Sequence, residues 1–384
     1  YSAEVAGRAP ALPPAPHFSD YAKKEGAVRA SAEFARAEAY WKQQFADSVP
    51  VLDLPTDRPR PANRTYAGGF LLTTLSPEVT RSVKKLCAER ECTAFTGLLA
   101  AFNLLLHRLT GQDDVVVGVP SAAQVMDGLE NLVGHFANLL PMRSRIDEER
   151  RFDDYLDEVR EHLTTALEHW RYPFGSLLHA LNLPRDASRV PLAPVVFNTT
   201  RRRGSLRFAD LTAEVAGNPK RFVNFDLNFN FALTDDTISL GCYYSTELFD
   251  ETTIARWFGH FETLLRGIAA DPHARVIDIP LLTEAQRQEV VVEWNRNALE
   301  YRRDAGIHHL FEEQAQRAPR AIAVVAGRER VTYGELDRRA EGIAARLRAA
   351  GVGPDVMVGL FLERSSHLLV GMLVALKAEG AYVP

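Results

Sequence analysis

Apolar residues recur at helical spacing in several long stretches. A helical run is predicted from Phe18-Ser19-Asp20-Tyr21-Ala22 to Phe45. Residues 31 to 45 are mostly Ala, Glu, Lys, Arg and Gln, which favour helix. Pro77 to Arg90 places Val79, Val83, Leu86 and Cys87 on one helical face. Thr93 to Leu109 carries a wide stripe of Phe95, Leu98, Leu99, Phe102, Leu105, Leu106 and Leu109, the mark of a core helix. Phe152 to Trp170 repeats Phe152, Tyr155, Leu156, Val159, Leu163, Ala166, Leu167 and Trp170 at the same spacing. Asp250 can cap a last helix striped by Ile254, Trp257, Phe258, Phe261, Leu264, Leu265 and Ile268.

Strand patterns lie between these helices. Phe70 to Leu75 is short, and Val115 to Val119 is apolar throughout and reads as fully buried. Leu227, Phe229, Phe231 and Leu233 alternate with polar residues. Ile238, Leu240, Cys242 and Tyr244 do so on the way back from Thr234-Asp235-Asp236, which predicts a hairpin. Residues 66 to 270 therefore read as a two-layer α/β unit. Asp271-Pro272 opens a polar linker to residue 304, with a short helix after Thr283-Glu284. From 305 onward, strand patterns at 321–325 and 356–362 alternate with helices, which implies a second α/β domain with a parallel sheet.

The stretch from His169 to Asn198 joins these patterns. Pro173 and Gly175 interrupt helical periodicity at Tyr172-Pro173-Phe174, and Leu177 to Leu181 resumes it. A charged turn, Pro184-Arg185-Asp186-Ala187-Ser188-Arg189, leads to the strand Val195 to Asn198. The Asp186 carboxylate can accept from the guanidinium of either Arg185 or Arg189, so the turn is internally satisfied. In Gly134-His135-Phe136-Ala137-Asn138-Leu139-Leu140-Pro141-Met142-Arg143, Asn138 is a lone amide among apolar neighbours. It must bond backbone or ligand.

Composition narrows the function. A length of 384 residues favours two domains, and 46% hydrophobic content supplies ample core. The net charge of -5 has the wrong sign for nucleic acid, and Arg201-Arg202-Arg203 is too short to reverse that. The three cysteines, Cys87, Cys92 and Cys242, have no metal-ligand or redox spacing and fit buried thiols in a reduced, cytoplasmic setting. The Pro-rich start lacks a signal peptide's apolar core, and no apolar run spans a membrane. The sequence begins without Met and stops at Ala381-Tyr382-Val383-Pro384, so it is taken as an internal piece of a longer protein.

Several of these stretches resemble the signature motifs of nonribosomal peptide synthetases. His169-Trp170-Arg171-Tyr172-Pro173-Phe174-Gly175 is similar to the condensation-domain motif His-x-x-x-Pro-Phe-Glu, with Gly175 in place of Glu. Arg185-Asp186-Ala187-Ser188-Arg189-Val190-Pro191-Leu192 resembles Arg-Asp-x-Ser-Arg-x-Pro-Leu. Gly134, Phe136, Asn138, Leu139 and Arg143 match Gly-x-Phe-Val-Asn-Thr-Leu-x-x-Arg, and Asp20, Ala22 and the later Trp41 keep part of an earlier motif. Val331 to Leu336 and Leu376 to Pro384 resemble the first two adenylation-domain motifs, with Glu379 replacing Gly.

The resemblance implies the second lobe of a chloramphenicol-acetyltransferase-like fold, then the beginning of an adenylate-forming domain. Residues 1–65 would be the end of the first lobe and the connection between lobes, 66–270 the second lobe, 271–304 the linker and 305–384 the truncated adenylation start. It implies a parent enzyme that joins carrier-tethered acyl or peptidyl donors to aminoacyl acceptors. Its partners would be upstream and downstream carrier domains bearing phosphopantetheine, and ATP and Mg would serve only a complete adenylation domain. Gly134, Phe136 and Asn138 would line the substrate channel. Tyr172, Pro173, Phe174, Arg185, Asp186 and Arg189 would stiffen the lobe. The family's His-His-x-x-x-Asp-Gly motif, whose second His acts on the amine, does not occur. The His308-His309 pair has the wrong tail and reads as structural, and His135 sits at a variable motif position. No catalytic residue or metal ligand is assigned, and the chain by itself is expected to be inactive. Heterocyclisation on the same fold and a non-catalytic, condensation-like docking domain are the alternatives.

Overall fold

The computed structural model describes all residues except 12, 13, 15, 123–130, 185, 202–207, 212, 214–217 and 219, and only the backbone of Ala122 and Arg201. Two compact units are present, Tyr1–Glu293 and Trp294–Pro384.

The first unit opens with a one-turn helix, α1 (Ser2–Val5), and two longer helices, α2 (Phe18–Val28) and α3 (Ala32–Gln44). The single run predicted from Phe18 to Phe45 is broken at Ser31. There the chain turns extended, and the hydroxyl accepts from Phe34 N at 3.2 Å as a new N-cap. Six described strands form one mixed sheet: β1 (Gly68–Thr74), β2 (Asp114–Ala122), β3 (Ala137–Arg145), β4 (Val195–Arg201), β5 (Leu227–Leu233) and β6 (Ile238–Ser245). Their spatial order is β1-β6-β5-β4-β2-β3, parallel only at β5-β4 and β4-β2.

Register explains which side is buried. One face carries rows such as Leu71, Cys242, Phe229 and Phe197, then Thr73, Leu240, Phe231 and Thr199. The helices α4 (Pro77–Glu89), α5 (Ala94–Thr110) and α8 (Glu251–Ala270) belong to the same core. Phe102 of α5, with no exposed surface, meets Phe197 at 5.4 Å and Phe229 at 4.8 Å between ring centroids. Each such ring contributes about 1.5–3 kcal/mol by burial. The opposite face carries Leu72, Gly241, Asn230 and Asn198 in one row and Phe70, Tyr243, Asn228, Val196 and Gly118 in the next.

Helices α6 (Phe152–Glu168) and α7 (Phe174–Leu181) flank the motif stretch. Pro173 alone makes the break between them, because Gly175 lies inside the first turn of α7. Asn182, at φ 48°, ends α7 in a left-handed cap, a conformation Asn tolerates better than most residues.

The N-cap of α8 departs from the expectation. Asp250 stands at the cap position, but its side chain makes no capping bond and pairs with Arg58 instead. Asp57, far away in sequence, braces the cap residue and a first-turn hydroxyl. Its carboxylate accepts from Asp250 N at 2.7 Å and from the Thr253 hydroxyl at 2.8 Å. The segment expected as a linker also divides. Residues 272–277 exchange backbone bonds with residues 148–153, and Val276 and Ile279 are buried in the first unit's core. The short helix α9 (Glu284–Gln288) follows with a Thr283/Gln286 capping box.

The second unit contains α10 (Ile307–Arg317), β7 (Ile322–Ala326), β8 (Glu329–Thr332), α11 (Tyr333–Ala349), β9 (Met357–Gly359), α12 (Ser366–Lys377) and β10 (Ala381–Val383). The expected parallel sheet is only partly present. β9 and β10 are parallel, but β7 and β8 are antiparallel. Only two residues separate β7 from β8, with Gly327 at φ 62°. Such a link makes a hairpin, whereas a parallel crossover needs about a dozen residues. Residues 356–362 are not a buried strand either, since Met357 and Phe361 are exposed. Lys377, nearly buried, draws α10, α11 and α12 together through Glu312, Asp337 at 3.0 Å and Glu341 at 3.2 Å. Among the described residues, no single helix is long and apolar enough to cross a membrane.

Candidate functional site

Of the residues singled out in the sequence, Asn138, Tyr172, Pro173 and Phe174 converge at the start of β3. Asn138 donates both amide hydrogens, to Trp170 O at 2.7 Å and Tyr172 O at 2.9 Å. Its Oδ1 accepts from Phe174 N at 3.0 Å. One side chain thus satisfies the carbonyls before the Pro173 break and the first free N–H of α7, groups a helix cannot satisfy for itself. Asn suits this role because it alone combines two donors and an acceptor at this length.

Helix α3 clamps the same stretch from the other side. Trp41 Nε1 donates to His169 O at 2.9 Å, Tyr40 stacks on the His169 ring at 4.3 Å, and Phe34 meets Tyr172 edge-on at 5.3 Å. Arg171 lies over the Trp170 ring and reaches Glu25 at 3.0 Å and Glu33 at 3.3 Å. Burial, and then Glu38, raises the Tyr172 hydroxyl above its ordinary range. Gly134 allows a close approach, because a Cβ there would lie 2.5 Å from the Phe18 ring. Phe136 packs against Phe18 and Tyr21 at 5.4 and 4.8 Å. His135 is exposed.

At the far end of β3, Arg143 is buried and forks onto Asp114 at 2.9 and 2.6 Å. It also donates to Gln44 O, Asp47 and Ser48. This planar donor set ties β2 and β3 to the end of α3. The Arg143 hydrogen bond lowers Asp47 to about 2.

The charged turn is held differently from the expectation. Asp186 Oδ1 accepts from Ser188 N at 2.8 Å and from the Ser188 hydroxyl at 2.6 Å, while Arg189 is 3.7 Å from its other oxygen and 3.4 Å from Asp53. The Ser188 bonds, with Arg189 beyond them, hold Asp186 below the usual carboxylate range. Arg185 lies outside the described residues. Arg60, absent from the sequence reasoning, bridges Ser188 O at 3.1 Å and the buried Asp226 at 2.8 Å. No local pattern marked either residue, since they are 166 positions apart. A cavity of about 880 Å³ opens beside this corner, with Val51, Leu52, Leu178, Leu183 and Leu192 among its walls and Asp186, Arg189 and Asp226 at its polar positions.

The amides of the sheet's other face were also missed, because alternation in β4 and β5 marks them only as solvent-side residues. Asn198 and Asn230 are cross-strand neighbours, and Asn228 follows in the next row. Among the described residues, Asn230 Oδ1 is buried without a hydrogen-bond partner. In the second unit, His309 Nδ1 accepts from Gly306 N at 3.0 Å, and the His308 and His309 rings lie 4.0 Å apart. Among the described residues no group of three or more His, Cys, Asp or Glu side chains is placed to hold a metal.

This fold, with its motif corner, is that of condensation domains. The chain belongs to the condensation-domain family, whose family model matches residues 1–291, and a model described as AMP-binding enzyme matches 311–384. Tyrocidine synthase 3 of Brevibacillus parabrevis is 37% identical over 96% of the chain, which covers 6% of that protein. A crystallised four-domain nonribosomal peptide synthetase, bound to AMP and glycine, superposes with a TM-score of 0.71 at 24% identity over 91% of this chain and 28% of that one. The X-domain from teicoplanin biosynthesis gives 0.64 at 26% identity over 73% and 66%. The chain spans 6 to 14% of the length of the curated synthetases it matches.

Proposed function

We propose that this chain is the second lobe of a condensation domain followed by a linker and the beginning of an adenylation domain. The synthetase it serves forms an amide between an acyl or peptidyl donor and an aminoacyl acceptor, both carried as phosphopantetheine thioesters on partner carrier domains. The observation that carries this reading is the succession of a condensation match over 1–291 and an AMP-binding match over 311–384 in one chain.

The named residues divide by role. Asn138 and Arg143 spend their donors on the protein itself, and with Tyr172, Pro173, Phe174, Asp186 and Arg189 they give the lobe a fixed shape. Gly134 and Phe136 supply the wall beside that corner, where the channel is proposed to run. ATP and Mg would act only in a complete adenylation domain, and no step is assigned to them here.

The base that acts on the amine is assigned to a His-His-x-x-x-Asp-Gly motif outside this sequence. The chain incubated with acyl- and aminoacyl-N-acetylcysteamine thioesters should therefore give no amide above the uncatalysed background by mass spectrometry. Amide formed in proportion to added chain would overturn that assignment. A second reading, a non-catalytic docking domain, draws on the likeness to the teicoplanin X-domain, which has also been solved in complex with OxyB. A synthetase holding this lobe that still condensed its substrates would exclude it.

A further inference from the structure

The corner between α4 and α5 brings together two cysteines whose spacing carries no known motif. Helix α4 ends with Glu91 at φ 49°. Beyond it, Cys92 N donates back to Cys87 O at 2.9 Å. This six-residue closure sets the side chains of its first and last residues in contact, as helix C-caps of this type do. The two thiols are accordingly neighbours that perturb each other's titration. Cys87 is buried, with its sulfur seated over Gly97, where a Cβ would lie only 2.5 Å away. Cys92 is half-buried and reachable from solvent. The neighbouring Cys87, with help from Arg160 and Arg90, lowers the Cys92 thiol below its ordinary range, whereas Cys87 is pushed up by Cys92 and by burial.

We propose that Cys87 and Cys92 form a dithiol modification site that a hydroperoxide oxidises to an intramolecular disulfide. Cys92 is the attacking thiolate, since accessibility and thiolate character govern that step. Its sulfur takes the terminal oxygen of the peroxide, the O–O bond breaks, and hydroxide leaves from hydrogen peroxide. The Cys87 sulfur then attacks the Cys92 sulfenic acid, the S–O bond breaks, and water leaves with the Cys87 proton. Two electrons pass from the thiols to the peroxide, which becomes two waters once the hydroxide takes up the proton released by Cys92. Cys242, fully buried and raised by that burial, has no part.

The test is stoichiometric hydrogen peroxide on the full chain, then denaturation, alkylation of free thiols and tryptic mapping. The three thiols should fall to one, and the peptide 86–90 should appear disulfide-linked to the peptide beginning at Glu91. Dithiothreitol should restore both. Cys92→Ser should abolish the linked peptide, while Cys242→Ala should keep it. In Cys87→Ala, dimedone should label Cys92. A linkage between chains, oxidation confined to Cys242, or a dimedone-labelled Cys92 that persists beside an intact Cys87 would overturn the proposal.

Discussion

Two polar neighbourhoods in the first unit use the same residue type to opposite ends. At the start of β3, Asn138 spends both donors and its acceptor on backbone groups of residues 170–174. On the opposite face of the sheet, Asn198, Asn228 and Asn230 sit in adjacent rows, and Asn230 Oδ1 has no partner among the described residues. A saturated amide is structural, since removing it strands the groups it satisfied. An amide oxygen without a partner contributes little to folding, so removing it strands nothing. Asn138 thus fixes the corner at the start of β3, whereas Asn230 leaves its oxygen unpaired.

The contrast can be broken from its strongest point. Arg143→Met should destabilise the first unit by about 3 kcal/mol in urea unfolding. That is the lower end for a broken buried ion pair, because Asp114 and Asp47 still reach water. A loss below about 1 kcal/mol would mean the Arg143 cluster does not hold α3 to the sheet. Trp41→Phe removes the 2.9 Å bond to His169 O together with part of a buried ring and should cost about 2 kcal/mol by the same measurement.

Acid should act in two stages. Burial holds His162 and His260 below the ordinary 6.5, with Arg256 adding to the effect at His260. Both are therefore neutral in the fold, and the unfolded chain takes up protons first as pH drops. Their contribution is complete above about pH 6.5 and is lost below it. A second loss should follow between pH 3.8 and about 2, where Asp47 and Asp153 protonate. Burial by itself would raise Asp153, but hydrogen bonds from Arg151 and His273, with the charge of Arg90, outweigh it. Thermal midpoints across pH 2 to 8 would show both falls, and His162→Gln should remove part of the first.

Much of the fold was legible because periodicity is local. The stripe of Thr93 to Leu109 became α5, and the 227–244 alternation became the β5–β6 hairpin. What failed was long-range or depended on exact helix ends. Asp57 braces the start of α8 from 193 residues away, a partner that no window around Asp250 contains. Asn138 was marked as an amide in need of a partner, but its partners lie 32 to 36 residues on and meet it only when α7 folds back. Cys87 and Cys92 looked unrelated until the left-handed Glu91 ended the helix between them. The parallel sheet expected after residue 320 was misread because the short strand Glu329–Thr332 went unrecognised, and it pairs back on β7 as a hairpin.

The most direct measurement is urea unfolding of Asn138→Ala beside Asn230→Ala. The account predicts a loss of about 2 kcal/mol for the first, from three stranded backbone groups. For the second it predicts a change within about 0.5 kcal/mol. Equal losses, or a larger loss at Asn230, would contradict the division between spent and unspent amides.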